Sequence, residues 1–190
     1  MIQRLVSLDI SSISESGEEL CKEKDFTYIF ETYYKRVYNF IYYRVNCHYT
    51  SEDLTSQVFE KIMINIETYS KTKSSFEVWL FAISRNVVND YFRSLKKYKT
   101  FSLEVIKEFV SRKQTPEDIV EIAETNYELL KALRVLNERE RNIVALKFGA
   151  ELRNKEIATI LNLTETNVGV MLHRIMKKLK IELEKEDKYE

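Results

Sequence analysis

Apolar residues along this chain recur at three- and four-residue steps, in blocks separated by short polar breaks. That spacing gathers side chains on one face of an α-helix. Phe26, Ile29, Phe30, Tyr33, Val37, Phe40 and Ile41 make the first such stripe. Residues 46–50 interrupt it. Thr50, three residues before Asp53, reads as a capping-box start for a second helix with Leu54, Val58, Ile62 and Ile66 on one side. The polar stretch 69–75 predicts a loop. Ser74 or Ser75 is placed to cap a third helix that carries Phe76, Trp79, Leu80, Ile83, Val87 and Tyr91 and runs into Arg93, Lys96, Lys97 and Lys99. The pattern lapses over 100–124. The single proline, Pro116, lies there, followed by Glu117, Asp118, Glu121 and Glu124, which reads as an acidic linker entering a new helix. Beyond it Leu129, Leu130, Leu133 and Leu136 form one stripe. Ile143, Val144 and Phe148 form another, with Gly149 as its expected C-terminal cap.

The segment from Arg153 to Lys180 carries the sharpest pattern. A short helix turns Ile157, Ala158 and Leu161 inward. Asn162, Leu163 and Thr164 make a tight turn, with Asn tolerating a left-handed backbone, Leu plugging the corner and Thr capping the next helix. Asn154 is the expected cap of the first helix. The second helix buries Val168, Leu172, Ile175 and Leu179. This is a helix-turn-helix layout, whose second helix enters the DNA major groove. Thr166, Val170, His173, Arg174 and Lys177 fall on the face away from the buried stripe. Arg and Lys there can reach guanine edges or phosphates, and a capped helix N-terminus attracts phosphate.

Composition narrows the class. Three glycines and one proline in 190 residues are too few for a turn-rich β fold. With 44% hydrophobic residues the chain can form packed cores. The expected fold is all-α: two small helical domains joined by a flexible linker, the C-terminal one a helix-turn-helix. The boundaries are a loose tail over 1–24, a first domain over 25–98, a linker over 99–123, a second domain over 124–185 and a tail over 186–190. The net charge is zero, so any nucleic-acid surface must be local. Cys21 and Cys47 stand apart without CxxC spacing or His partners, which suits reduced thiols in the cytoplasm and no metal site. No apolar run approaches a membrane span, so no membrane insertion is expected. No Gly-rich phosphate loop or nucleophile–base pair is present, so no cofactor and no catalytic residue is assigned, and the protein is read as no enzyme.

In four blocks the residues resemble those of a known family. FETYYKRVYNFIYYRV, SEDLTSQVFEKI and SSFEVWLFAISRNVVNDYFRS resemble the second conserved region of sigma-70 family factors. LLKALRVLNERERNIVALKFGAELRNKEIATILNLTETNVGVMLHRIMKKLK resembles the fourth. A short linker stands where a third region would be, the arrangement of the extracytoplasmic-function group. The resemblance implies an RNA polymerase sigma factor that directs promoter recognition and transcription initiation.

Its implied partners are core RNA polymerase, through the clamp of the largest subunit, and promoter DNA. An anti-sigma protein is a further partner common in the family. The resemblance assigns Asp53, Gln57, Glu60 and Lys61 to the polymerase contact. It assigns Lys71, Lys73, Arg85, Asn86, Asp90 and Arg93 to capture of the melted minus-ten strand. Thr164, Thr166, Asn167, Val170, His173, Arg174, Lys177 and Lys178 become the reader of the duplex minus-thirty-five element. The rival reading is a helix-turn-helix transcription regulator acting without polymerase association.

Overall fold

A computed structural model describes residues 26–101 and 132–186. The tail expected over 1–24, residues 102–123 of the expected linker, and Leu129 and Leu130 lie outside the described residues. Six α-helices make up the described chain: α1 (Phe26–Val45), α2 (His48–Asn65), α3 (Phe76–Phe101), α4 (Glu138–Val144), α5 (Asn154–Leu161) and α6 (Glu165–Glu186). No strand occurs among the described residues.

The first three helices pack as the stripes predict. Ile29, Val37, Phe40 and Ile41 of α1, Leu54, Val58 and Ile62 of α2, and Leu80 and Val87 of α3 are buried. Aromatic contacts extend this core. Phe59 lies 4.9 Å from Phe30 between ring centroids, and Phe40 lies 5.9 Å from Phe81 in an edge arrangement. Three buried hydroxyls are satisfied within their own helices: Ser51 donates to the Cys47 carbonyl, Thr55 to Ser51 and Ser84 to Leu80. The start of α2 differs from expectation. The chain turns at Asn46, whose φ is 52°, and α2 begins at His48, so Thr50 lies inside the first turn and caps nothing. At α3 the cap is Ser75, whose hydroxyl accepts from the Val78 amide at 3.4 Å.

In the second half Asn137 caps α4. Its side chain accepts from the Glu140 amide while Glu140 accepts from the Asn137 amide, a reciprocal pair. The helix then widens into one π turn over Ala145–Gly149, with the Ala150 amide bonded to the Ala145 carbonyl. The extra residue in this turn shifts the helical register. Phe148, expected inside, is 46% exposed, whereas Ala145, Leu146, Gly149 and Ala150 are buried. Gly149 is no left-handed cap, since the positive-φ residue here is Glu151 at 58°. Glycine is required at 149 for space. A Cβ there would lie 2.8 Å from the Phe40 backbone and 2.9 Å from that of Asn39.

That close approach joins the two halves. Helix α1 packs along α4 and the π turn, α5 packs on α3, and the buried residues of both halves form one contiguous core. Two arginines of α1 fix the junction. Arg36 donates through Nε and Nη2 to the Ala150 carbonyl at 2.9 and 2.6 Å, and also pairs with Glu77. Arg44, only 3% exposed, donates to the Asn142 side chain and lies over the Phe92 ring at 5.5 Å.

Candidate nucleic-acid interface

The helix-turn-helix is built from α5, a tight turn and α6. Arg153, rather than Asn154, occupies the N-cap of α5. Its amide and its guanidinium both donate to the Glu156 carboxylate, at 2.7 Å and at 3.1 and 2.6 Å. Burial pushes the Glu156 carboxyl up, but the hydrogen bonds from Arg153 outweigh it and hold the group below the ordinary carboxylate range. Asn162 closes α5 in the left-handed region, with φ 54° and ψ 52°. Thr164 Oγ1 then accepts from the Asn167 amide at 3.2 Å and caps α6. Val168, Leu172, Ile175 and Leu179 seat α6 against the core.

Thr164, Thr166, Asn167, Val170, His173, Arg174, Lys177 and Lys178 are all exposed. Thr166, Val170, His173, Arg174 and Lys177 lie opposite the buried stripe. Lys178 stands on the flank and is tied to α4 by an ion pair with Glu140. The hydrogen bond from Lys178 holds the Glu140 carboxyl below its usual range, helped by the Asn137 amide and opposed by partial burial. The outward face of α6 thus combines a capped N-terminus with Arg174 and Lys177, the geometry that takes phosphate at a helix end and reads a groove beside it.

On the first half, Asp53, Gln57, Glu60 and Lys61 are exposed on one face of α2, behind the stripe that packs on α1 and α3. Gln57 and Lys61 share a groove of about 290 Å³ with Asp90 and Tyr91 of α3. The residues singled out for strand capture do not form one pocket. Lys71 and Lys73 are exposed in the loop, where Tyr69 packs on Phe76 and Trp79 at 5.3 and 5.5 Å between centroids. Arg85 begins roughly 15 Å further along α3, given the helical rise per residue. Asn86 is exposed. Asp90 borders the groove beside α2 and pairs with Arg93 at 2.9 Å.

Arg85 and Arg93 instead line a cleft between the halves, together with Asn89, Phe92 and Lys96 of α3 and Glu138, Arg139 and Asn142 of α4. Arg44, Arg139 and Asn142 were not anticipated as site residues. Arg44 had a signal, because it continues the α1 stripe at i+3 and i+4 from Ile41 and Phe40. Arg139 and Asn142 had none, as their position depends on how the halves meet.

Comparison with known proteins gives a consistent family. Residues 29–98 match the family model Sigma-70 region 2, and residues 127–179 match Sigma-70, region 4. The ECF RNA polymerase sigma factor SigM of Bacillus subtilis is 32% identical over 153 residues, covering 80% of this chain and 91% of SigM. The ECF RNA polymerase sigma factor BldN of Streptomyces coelicolor is 33% identical over 155 residues, which is 80% of this chain but 57% of BldN. The chain therefore spans little more than half of BldN. In fold it resembles the sigma factor RpoE of Bartonella quintana, solved with the anti-sigma factor NepR, with a TM-score of 0.63, 19% identity, and coverage of 85% of this chain and 98% of that one. CnrH, solved with the cytosolic domain of CnrY, gives a TM-score of 0.62 at 16% identity, covering 88% and 94%.

Proposed function

This chain belongs to the ECF RNA polymerase sigma factors, and from that premise we propose a division of labour among its surfaces. The polar face of α2, with Asp53, Gln57, Glu60 and Lys61, docks on the clamp of the largest subunit of core polymerase. The outward face of α6, from Thr164 to Lys178, reads duplex promoter DNA at the minus-thirty-five element. The face of α3 bearing Arg85, Asn86 and Arg93 takes the unpaired minus-ten strand, with the loop lysines Lys71 and Lys73 meeting the strand at the far end of the helix. Asp90 orients Arg93 through their ion pair and does not itself meet phosphate, which a carboxylate repels. The protein has no reaction of its own. It acts in the cytoplasm by binding the open promoter in preference to the closed one, which shifts that equilibrium. An anti-sigma protein is its expected inhibitor.

The observation that carries this reading is the outward face of α6: a capped helix whose cations Arg174 and Lys177 stand exposed opposite its buried stripe. An operator-binding regulator would need only that half. The matched first region, with the exposed polar face of α2, favours a polymerase subunit. The test is run-off transcription from candidate promoters with purified core polymerase, with permanganate footprinting of unpaired thymines. Promoter-specific transcripts and melting are expected only when the protein is added. Duplex binding without co-purification with polymerase, and without melting, would return the reading to a conventional regulator.

A further inference from the structure

The cleft between the halves gathers cations from both, and Arg139 among them serves neither the packing junction nor the proposed promoter-reading surfaces. It measures about 510 Å³, within the range of small-molecule sites. Five cations line it, Arg44, Arg85, Arg93 and Lys96 from the first half and Arg139 from the second, against one carboxylate, that of Glu138. Glu138 is shared between Lys96 at 3.6 Å and Arg44 at 3.9 Å, and Arg93 is paired with Asp90. Arg85 and Arg139 have no carboxylate partner among the described residues, and Arg85 Nε is buried without a hydrogen bond. Like charges gathered in a concave, partly desolvated site repel one another, and an anion relieves that repulsion. Burial above all lowers the Arg44 guanidinium to about 10, with Glu138 opposing and the cations of Arg141 and Arg85 adding smaller contributions.

The chemistry of the walls selects the anion. Guanidiniums present planar donor forks that match phosphate oxygens. The amides of Asn89 and Asn142 and the Phe92 ring complete the lining. The far wall is made by Arg139, Asn142, Leu161 and Leu163.

We propose that this cleft binds a small oligophosphate, pyrophosphate or the phosphate tail of a free nucleotide, between Arg85 on one wall and Arg139 on the other. Because the walls belong to different halves, the ligand binds only while the halves are packed, and it stabilises that arrangement by mass action. Arg85 and Arg93 also lie on the α3 face proposed to take the unpaired strand. Ligand and strand therefore compete, a consequence that rests on that assignment, whereas the binding itself does not.

The test uses the full chain at low salt. Pyrophosphate, orthophosphate and a nucleoside diphosphate are each titrated by calorimetry, with chloride at matched ionic strength as control, and thermal unfolding is recorded in parallel. Pyrophosphate is expected to bind saturably, more tightly than orthophosphate, and to raise the Tm. Arg139→Ala and Arg85→Ala should each weaken it about tenfold or more, the usual worth of a charged hydrogen bond, while Lys71→Ala leaves it unchanged. A nucleoside diphosphate that binds more tightly than pyrophosphate, at the same number of phosphates, assigns the ligand as a nucleotide, and equal or weaker binding assigns the phosphates alone. Arg139→Ala lies outside the proposed promoter contacts and should still support promoter-specific transcription. No saturable binding above the chloride control, or unchanged binding in the Arg85→Ala, Arg139→Ala double variant, overturns the proposal. Failure of wild-type transcription would instead sink the sigma-factor assignment of surfaces and leave the pyrophosphate isotherm standing.

Discussion

Arg44 occupies a place on the α1 stripe where an aliphatic side chain is the ordinary choice. Its guanidinium is taken out of water, donates to Asn142 and has one distant carboxylate. Removing a partner from a buried charge costs more than replacing the charge itself, since the orphaned group keeps its desolvation penalty. Asn142→Ala is therefore expected to destabilise the chain by about 1–3 kcal/mol, and Arg44→Met by less. Urea unfolding of both variants checks the order, and a larger loss for Arg44→Met would show that the guanidinium contributes more than it costs. Arg174 differs because it is exposed and held by no packing. Arg174→Ala should leave stability unchanged yet weaken duplex promoter binding by about 1–3 kcal/mol and relax preference at one base position. A DNA titration across sequence variants in which it binds as wild type removes Arg174 from the contact set. The two arginines also mark how far single residues can be read. Arg174 is legible because an outward position on a patterned helix needs no knowledge of a neighbour. Arg44 is visible on its stripe, but what it meets depends on a helix nearly a hundred residues away.

At the scale of elements, periodicity foretold the helices well wherever one face packs on its sequence neighbours. The stripes of α2 and α6 are buried as spaced, and the Asn162 turn and Thr164 cap are as expected. It failed at the π turn, because one extra residue breaks the 3.6 period and sends Phe148 outward while Gly149 and Ala150 go in. A glycine after an apolar stripe signals either a left-handed cap or a close approach, and here the second holds. Gly149→Ala should accordingly push α1 away from the π turn, at a cost of about 1–3 kcal/mol for overpacking. The expected signature is a lower Tm, and an increased radius in small-angle scattering if the halves part. An unchanged Tm would mean that the Phe40 backbone yields easily. Acid tests the capping pairs. Glu140 and Glu156 titrate below their ordinary values when folded, so their contribution is complete above the unfolded carboxylate range and is lost as pH falls through the depressed folded values. Helicity measured by circular dichroism should fall in that acid window. Glu140→Gln should be less stable than wild type at neutral pH yet lose less on acidification. Parallel acid curves for the two proteins would show that the Lys178 pair contributes nothing.

For the whole molecule the decisive quantity is distance. The minus-thirty-five and minus-ten elements lie about 25 base pairs apart by their positions, roughly 85 Å of duplex at about 3.4 Å per pair. A packed body the size of the described residues has a radius of gyration of about 14 Å and a diameter of roughly 40 Å. On the proposed assignment of surfaces, the arrangement in which α1 lies against the π turn cannot engage both elements, and promoter binding by both requires the halves to separate. Chain length permits this, since residues 102–131 can span at most ~100 Å when extended. What must be given up is specific: the bonds from Arg36 to the Ala150 carbonyl, the Arg44 contact with Asn142, and the seating of Gly149 on Phe40. None of these touches the exposed faces of α2 or α6, so the surfaces proposed for polymerase and duplex DNA are both free before the halves part. Fluorescent labels at Ile64→Cys on α2 and Ile181→Cys on α6, both exposed positions, report the separation once Cys21 and Cys47 are replaced by Ser. Energy transfer should be high in the free protein, change little with a short upstream duplex alone, and fall steeply in the complex with core polymerase and a full promoter. Transfer that stays high in a complex actively making transcript would mean that the halves read DNA while packed, and that the two surfaces do not serve two distant elements.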